Sequence, residues 1–364
     1  MIWAALFAFL LNPYPCAAAE SPPPLGVRAF TLLQNALSDE DPDVRALSAE
    51  QWGRLGNPAA VKLLAHALKD AHPAVRMSAA LSLKALGDDS GVPVVTEIVL
   101  KAPHAVRHDP PLSTPAEMRA FALNKVRISA VRALWKLDPP SLRKTLEVVR
   151  KDRDGGVRDA AALALGCMGD IAELDAIAAA LQDEDPGLRA KAAATLGDVP
   201  SPTVPARLAP LVADKDENVR AAVMESLGKT GSDDALAALK AGLSDSSELV
   251  RAKAVEALGR LQTPEAGPLL ESVSASTNAH IELLAAAALA RRGSKTGVVL
   301  AQRTLGQRDE GARILAVGLL EDVGTEDALA ALAFALDDRD AGIRVRAAAA
   351  LLKLLQKSAK KAAP

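Results

Sequence analysis

An arginine that follows an aliphatic residue recurs along this chain at Arg45, Arg76, Arg127, Arg158, Arg189, Arg220, Arg251, Arg313 and Arg344. From Arg127 onward the interval is 31 residues every time, once Glu282 fills the one missing slot. Between Arg76 and Arg127 it is 51, one period plus a 20-residue insertion, so ten registers follow. A unit this short cannot enclose a core of its own, and each must bury its apolar side on its neighbours. The period therefore demands a stack of like units in place of one globular core.

With the Arg slot as zero, position +7 is Trp52 in the first unit and then Leu83, Leu134, Leu165, Leu196, Leu227, Leu258, Leu289, Leu320 and Leu351. Position −1 is aliphatic throughout, from Val44 to Ile343, and +3 is mostly Ala, as at Ala79, Ala130, Ala161 and Ala192. These offsets fall on one stripe of an α-helix. Glycine at +11 (Gly56, Gly87, Gly169, Gly231, Gly293, Gly324) is where a left-handed helix-ending residue belongs. An earlier helix shows as leucines four apart, Leu33 and Leu37, Leu64 and Leu68, Leu239 and Leu243, Leu332 and Leu336. Between the two lies an acidic, Pro-containing turn such as Asp39-Glu40-Asp41-Pro42, which halts the first helix and starts the second. The chain is all-α, with about ten 31-residue helix pairs. Hydrophobic residues make up 49% but aromatics only 2%, so the packing is of Ala, Leu and Val.

The pattern resembles HEAT repeats, and more closely the short HEAT-like repeats of the bacterial bilin-lyase type. The residues that carry the resemblance are an Asp six positions before the Arg: Asp39, Asp70, Asp152, Asp183, Asp214, Asp245 and Asp338, matched to Arg45, Arg76, Arg158, Arg189, Arg220, Arg251 and Arg344. The resemblance implies an α-α superhelix, a HEAT-like solenoid shaped as a curved rod. It also implies that each Asp meets an Arg of an adjoining repeat, forming a ladder along the inner seam. An Arg beside an apolar stripe needs such an acceptor. Phe121 and Gln307 replace the Asp before Arg127 and Arg313, and Ser276 with Glu282 loses both partners. Ladder breaks are expected there, with a hinge or change of curvature across residues 276–293.

Outside the array, residues 1–19 read as a signal peptide: an apolar run, Ile2 to Leu11, leads to Ala17-Ala18-Ala19 as the cleavage site. No Lys or Arg precedes the run, which departs from the usual pattern. Residues 20–26 read as a stiff linker, 27–355 as the array with its insertion at 101–121, and 356–364 as a flexible tail. After cleavage the chain would carry no membrane span, would lie in the periplasm or be secreted, and would be monomeric. Only Cys167 would remain, so no intrachain disulfide could form.

The insertion holds His104, His108 and Asp109, a conceivable metal set that Pro103, Pro110 and Pro111 keep off a regular helix. A solvated or partner-contacting loop is the favoured reading. Thr114 to Glu117 is a capping box that starts a helix near Pro115. Asp39, Asp41 and Asp43 alternate as in a calcium loop, but without its glycine. Cys167 has no His near it in sequence. Position +9 is basic at Arg54, Lys136, Lys229, Arg260, Arg291 and Lys353, opposite the core stripe, with Lys229, Arg260 and Arg291 in successive units. Glu225 and Glu256 stand four residues before Lys229 and Arg260 and would partly neutralise them.

With 43 basic against 45 acidic residues, nothing global calls for nucleic acid. No phosphate loop, nucleophile elbow or paired Cys motif occurs. The leading expectation is an exported scaffold, not an enzyme, with no cofactor, that binds a protein or peptide on its concave helical surface. The alternatives are a lyase or cofactor-chaperone role like that of the bilin-lyase relatives, and nucleic-acid binding as in HEAT-like glycosylases.

Overall fold

The computed structural model describes residues 24–101 and 115–362. The signal-peptide reading and His104, His108 and Asp109 lie outside the described residues. The described residues form ten helix pairs with no strand. The first five are α1 (Leu25–Asn35) with α2 (Pro42–Leu55), α3 (Ala60–Ala67) with α4 (Pro73–Ala85), α5 (Val92–Leu100) with α6 (Pro115–Leu137), α7 (Leu142–Val149) with α8 (Gly155–Cys167), and α9 (Ile171–Ala179) with α10 (Pro186–Leu196). The second five are α11 (Val204–Leu208) with α12 (Glu217–Thr230), α13 (Leu236–Gly242) with α14 (Glu248–Leu258), α15 (Ala266–Val273) with α16 (Ala279–Arg291), α17 (Val298–Leu305) with α18 (Glu310–Val323), and α19 (Glu326–Ala335) with α20 (Ala341–Ala362). The helix runs on through 356–362, a stretch that the sequence reading gives as a flexible tail; Lys, Ala and Ser there contain no breaker before Pro364.

Local chemistry sets the ends of the even-numbered helices. In the turn before α2, Asp39 accepts the N–H of Asp41 at 2.9 Å, and Asp41 caps the helix by accepting that of Asp43 at 2.8 Å. The same relay, from Asp183 to Asp185 to Gly187 and from Asp214 to Asp216 to Asn218, starts α10 and α12. The alternating acids are thus committed to backbone donors. At the other end, all six +11 glycines have positive φ, between 61° and 94°, in the left-handed region.

Except between α8 and α10, each even-numbered helix packs on the next even-numbered one, while the odd-numbered helices mostly touch their own partners, which places the even-numbered set on the inside of the curve. The array then closes. Helix α20 packs against both α1 and α2, as each unit packs on its successor elsewhere, and Arg28 pairs with Asp337 across the join. The curved rod expected from the repeats bends until its ends meet. Closure covers the two terminal faces that a linear solenoid must cap with polar side chains.

The inner helices approach closely through a feature that the Arg register hides. Position +8 is glycine at Gly53, Gly197, Gly228 and Gly259, and it faces the small +6 residue of the next unit, Ser82, Ser226, Ala257 and Ala288. A Cβ at any of the four would fall between 2.5 and 2.7 Å from its neighbour.

The ladder runs from each Arg to the Asp 25 residues on. Arg45–Asp70, Arg189–Asp214 and Arg220–Asp245 close at 2.8 Å, Arg313–Asp338 at 3.0 Å and Arg127–Asp152 at 2.5 Å. Each of these arginines except Arg127 also donates to carbonyls in its own turn, as Arg45 does to Asp39 and Glu40. Arg76 and Arg251 lack the cross-unit acid and keep only their own-turn carbonyls, matching the substitutions Phe121 and Ser276. The hydrogen bond from Arg45 holds the Asp70 carboxyl below its ordinary range, and Arg220 does so for Asp245. A carboxylate with a depressed folded pKa contributes stability above its unfolded pKa, and that stability is lost as pH falls towards the folded value. The melting temperature is therefore expected to fall as pH drops below about 4. Asp245→Asn should flatten that acid limb in circular-dichroism melts; an unaltered limb would mean the ladder carries none of it.

Candidate protein-interaction surface

On each inner helix the residues left open between buried stripes stand at −2, +2, +5 and +9, as Asn218, Ala222, Glu225 and Lys229 do on α12. This is the concave wall, and it holds the basic +9 set. Most of that set is already engaged. Arg54 meets Glu321 at 3.2 Å, and Lys353 pairs with the same carboxylate, so Glu321 ties α18 and α20 to α2 across the closure. Lys229 reaches Asp198 of the preceding unit at 3.0 Å and Glu225 at 3.3 Å. Glu256 turns to Lys253 at 3.1 Å and not to Arg260.

Arg291 faces Asp322, whose carboxyl is pushed up by burial and drawn back by that guanidinium. Lys136 and Arg260 are exposed and have no ion pair among the described residues. The row of three basic residues in successive units is therefore one bound lysine, one free arginine and one arginine beside an acid. Charge on this wall is mostly used between units.

Cys167, at +9 of α8, is half-buried, and its thiol donates to the Asp198 carbonyl at 3.5 Å. Burial, with the nearby Asp198 charge, pushes the thiol up to about 11, so it stays protonated at neutral pH. Among the described residues no helix is long and apolar enough to cross a membrane.

The sequence matches the family model of HEAT repeats over residues 30–109, 122–184, 174–258 and 208–290. The chain is a HEAT-repeat protein. The family match ends at residue 290, yet α17 to α20 continue the HEAT unit with the same stripe and turn. No curated protein matches the chain significantly. Many solved structures resemble it. An engineered protein is 17% identical, with 90% of this chain and 99% of that one covered and a TM-score of 0.34. Human deoxyhypusine hydroxylase in complex with glycerol is 20% identical, with 91% and 97% covered and a TM-score of 0.33. The Escherichia coli protein YibA is 18% identical, with 74% and 96% covered and a TM-score of 0.32.

One break in the HEAT array falls where no ladder Asp or Arg is replaced. Helices α8 and α10 barely touch and are bridged by α9. Arg158 and Asp183 are both present, but Arg158 donates only to the carbonyls of Asp152 and Arg153. Gly166, at +8, lies against Leu174 of α9 and not against the +6 residue of the next unit, which here is Thr195. Thr195 adds a methyl group where the other close-packed seams have Ser or Ala, and the two inner helices stand apart.

Proposed function

We propose that this HEAT-repeat protein is an exported scaffold, without catalytic activity of its own, that holds a protein or peptide segment against its inner helical wall. The observation that carries the reading is the division of labour among its charges. The ladder arginines and most of the +9 set are consumed in holding units together, while Lys136 and Arg260 stay exposed on the concave wall. A few free cations among many paired ones favour local recognition of an acidic side chain over the phosphate-tracking stripe that a nucleic acid requires. The protonated Cys167 thiol supports a binding role over a lyase that works through a thiolate. Closure leaves no bare terminal face to recruit a second copy, which supports a monomer.

The test is crosslinking in the source cells. A photo-crosslinking amino acid replaces Arg260 on the inner wall or, separately, the exposed Val299 on α17. The expected result is one discrete adduct from position 260 only, recovered outside the cytoplasm on protein whose N-terminus lies near Glu20. Adducts formed from position 299 and absent from 260 would overturn the inner-wall assignment. Recovery in the cytoplasm with residues 1–19 attached would overturn export.

A further inference from the structure

The parting of α8 and α10 opens a cavity of about 400 Å³ at the concave wall. It is not a shallow repeat of the other seams. Position −1 belongs to the core stripe, and Val75, Val157, Val219, Val250 and Ile343 are fully buried there. Leu188, at the same position, is 45% exposed and lines the cavity. Ile177 occupies the place where Leu33, Leu64, Leu239 and Leu332 are fully buried, yet it is only half-buried and lines the same space. Two residues that the repeat assigns to the core are thus left facing an opening, with Leu163 on the opposite wall.

The polar lining is selective. Arg150 is held by Glu173 through two bonds, at 2.6 and 3.1 Å, and Lys191 by Asp159 at 2.9 Å. Arg132 also lines the cavity, is exposed, and has no acidic partner among the described residues. Both carboxylates are satisfied, and one guanidinium is left over. We propose that this cleft binds a small amphiphilic carboxylate, an unbranched fatty acid or a molecule of that kind. Its apolar chain covers Leu163, Ile177 and Leu188, and its carboxylate accepts from Arg132. The volume lies within the usual range for small-molecule sites, and apolar walls with one convergent charge suit such a ligand. Arg fits a carboxylate through two parallel N–H donors. The site is separate from position 260, in the turn that follows α14, so its failure leaves the scaffold reading standing, and the reverse also holds.

The test uses the whole chain and isothermal titration with laurate below its critical micelle concentration, with dodecylamine and dodecanol as comparisons. One saturable laurate site per chain is expected. Dodecylamine and Arg132→Glu should each bring at least about a tenfold loss, because a hydrogen bond to a charged group contributes that much. Leu188→Glu should abolish binding. Both variants alter exposed side chains, and unchanged thermal melts will show that they fold. Leu249→Glu, an exposed leucine on α14 away from the cleft, should bind laurate like the parent. No laurate binding by the parent chain, equal binding by Leu188→Glu, or equal affinity for laurate and dodecylamine would each overturn the proposal.

Discussion

Arg127→Met is expected to lower the free energy of unfolding by about 3–5 kcal/mol, the range for breaking a buried ion pair from one side. Arg127 is 2% exposed, and its partner Asp152 is partly buried, at 13%. In the other ladder units the guanidinium also satisfies itself on the carbonyls at −6 and −5. In this unit those positions lie inside α6, where the carbonyls serve the helix itself. Arg127 instead donates to the Val99 carbonyl of α5 at 3.0 Å and to the Asn124 side chain at 3.1 Å, besides Asp152.

It thus clasps α5, α6 and the unit that follows, next to the insertion, beside the bond that Asn124 of α6 donates to Asp154 at 2.9 Å. Burial pushes the Asp152 carboxyl up, and the bond from Arg127, with the Asp154 N–H, outweighs that and leaves it below its ordinary value. Methionine would fill most of the volume but strand the carboxylate. A second change, Asp152→Leu, should restore most of the loss, since an apolar pair of similar size often equals a buried ion pair. Chemical denaturation measures both. A single-variant loss below about 1 kcal/mol, the size of an exposed pair, would show that water reaches Asp152 freely.

The contrast between Arg127 and its relatives indicates what spacing can carry. Periodicity reports which residues share a face, so the +7 column, buried except for half-buried Leu289, and the positive-φ glycines at +11 are legible in the sequence itself. The Asp–Arg exchange came from family resemblance, and it holds where both residues are present, with two exceptions. One is Arg158 with Asp183. The other is Arg344 with Asp39, which line one cavity at the closure and form no ion pair with each other among the described residues. Both exceptions depend on the distance between units, and so does closure itself. That distance depends on side-chain volume where units meet, +6 and +8 among the positions, and a hydrophobic pattern does not record volume. The +8 glycines were visible in the sequence beside the +7 leucines, and a search for small residues facing small residues one unit on would have found them.

That volume argument gives the second large effect. Gly228→Val is expected to cost about 3 kcal/mol or more, the upper end for an overpacked core and beyond it. A Cβ at Gly228 would lie 2.6 Å from both the Cα and the Cβ of Ala257. Backbone cannot swing aside as a side-chain tip can, so α12 and α14 would have to separate along their length. Separation would also pull Arg220 from Asp245 and expose Val250, which is fully buried. Gly318 provides the control, because a Cβ there meets nothing within 4 Å. Gly318→Ala sits on a helix interior and should stabilise by about 0.5–1 kcal/mol. Urea denaturation of the two variants separates close packing from helix propensity. If Gly228→Val melts like the parent, the inner helices are not held by their closest approach, and Thr195 cannot be what parts α8 from α10.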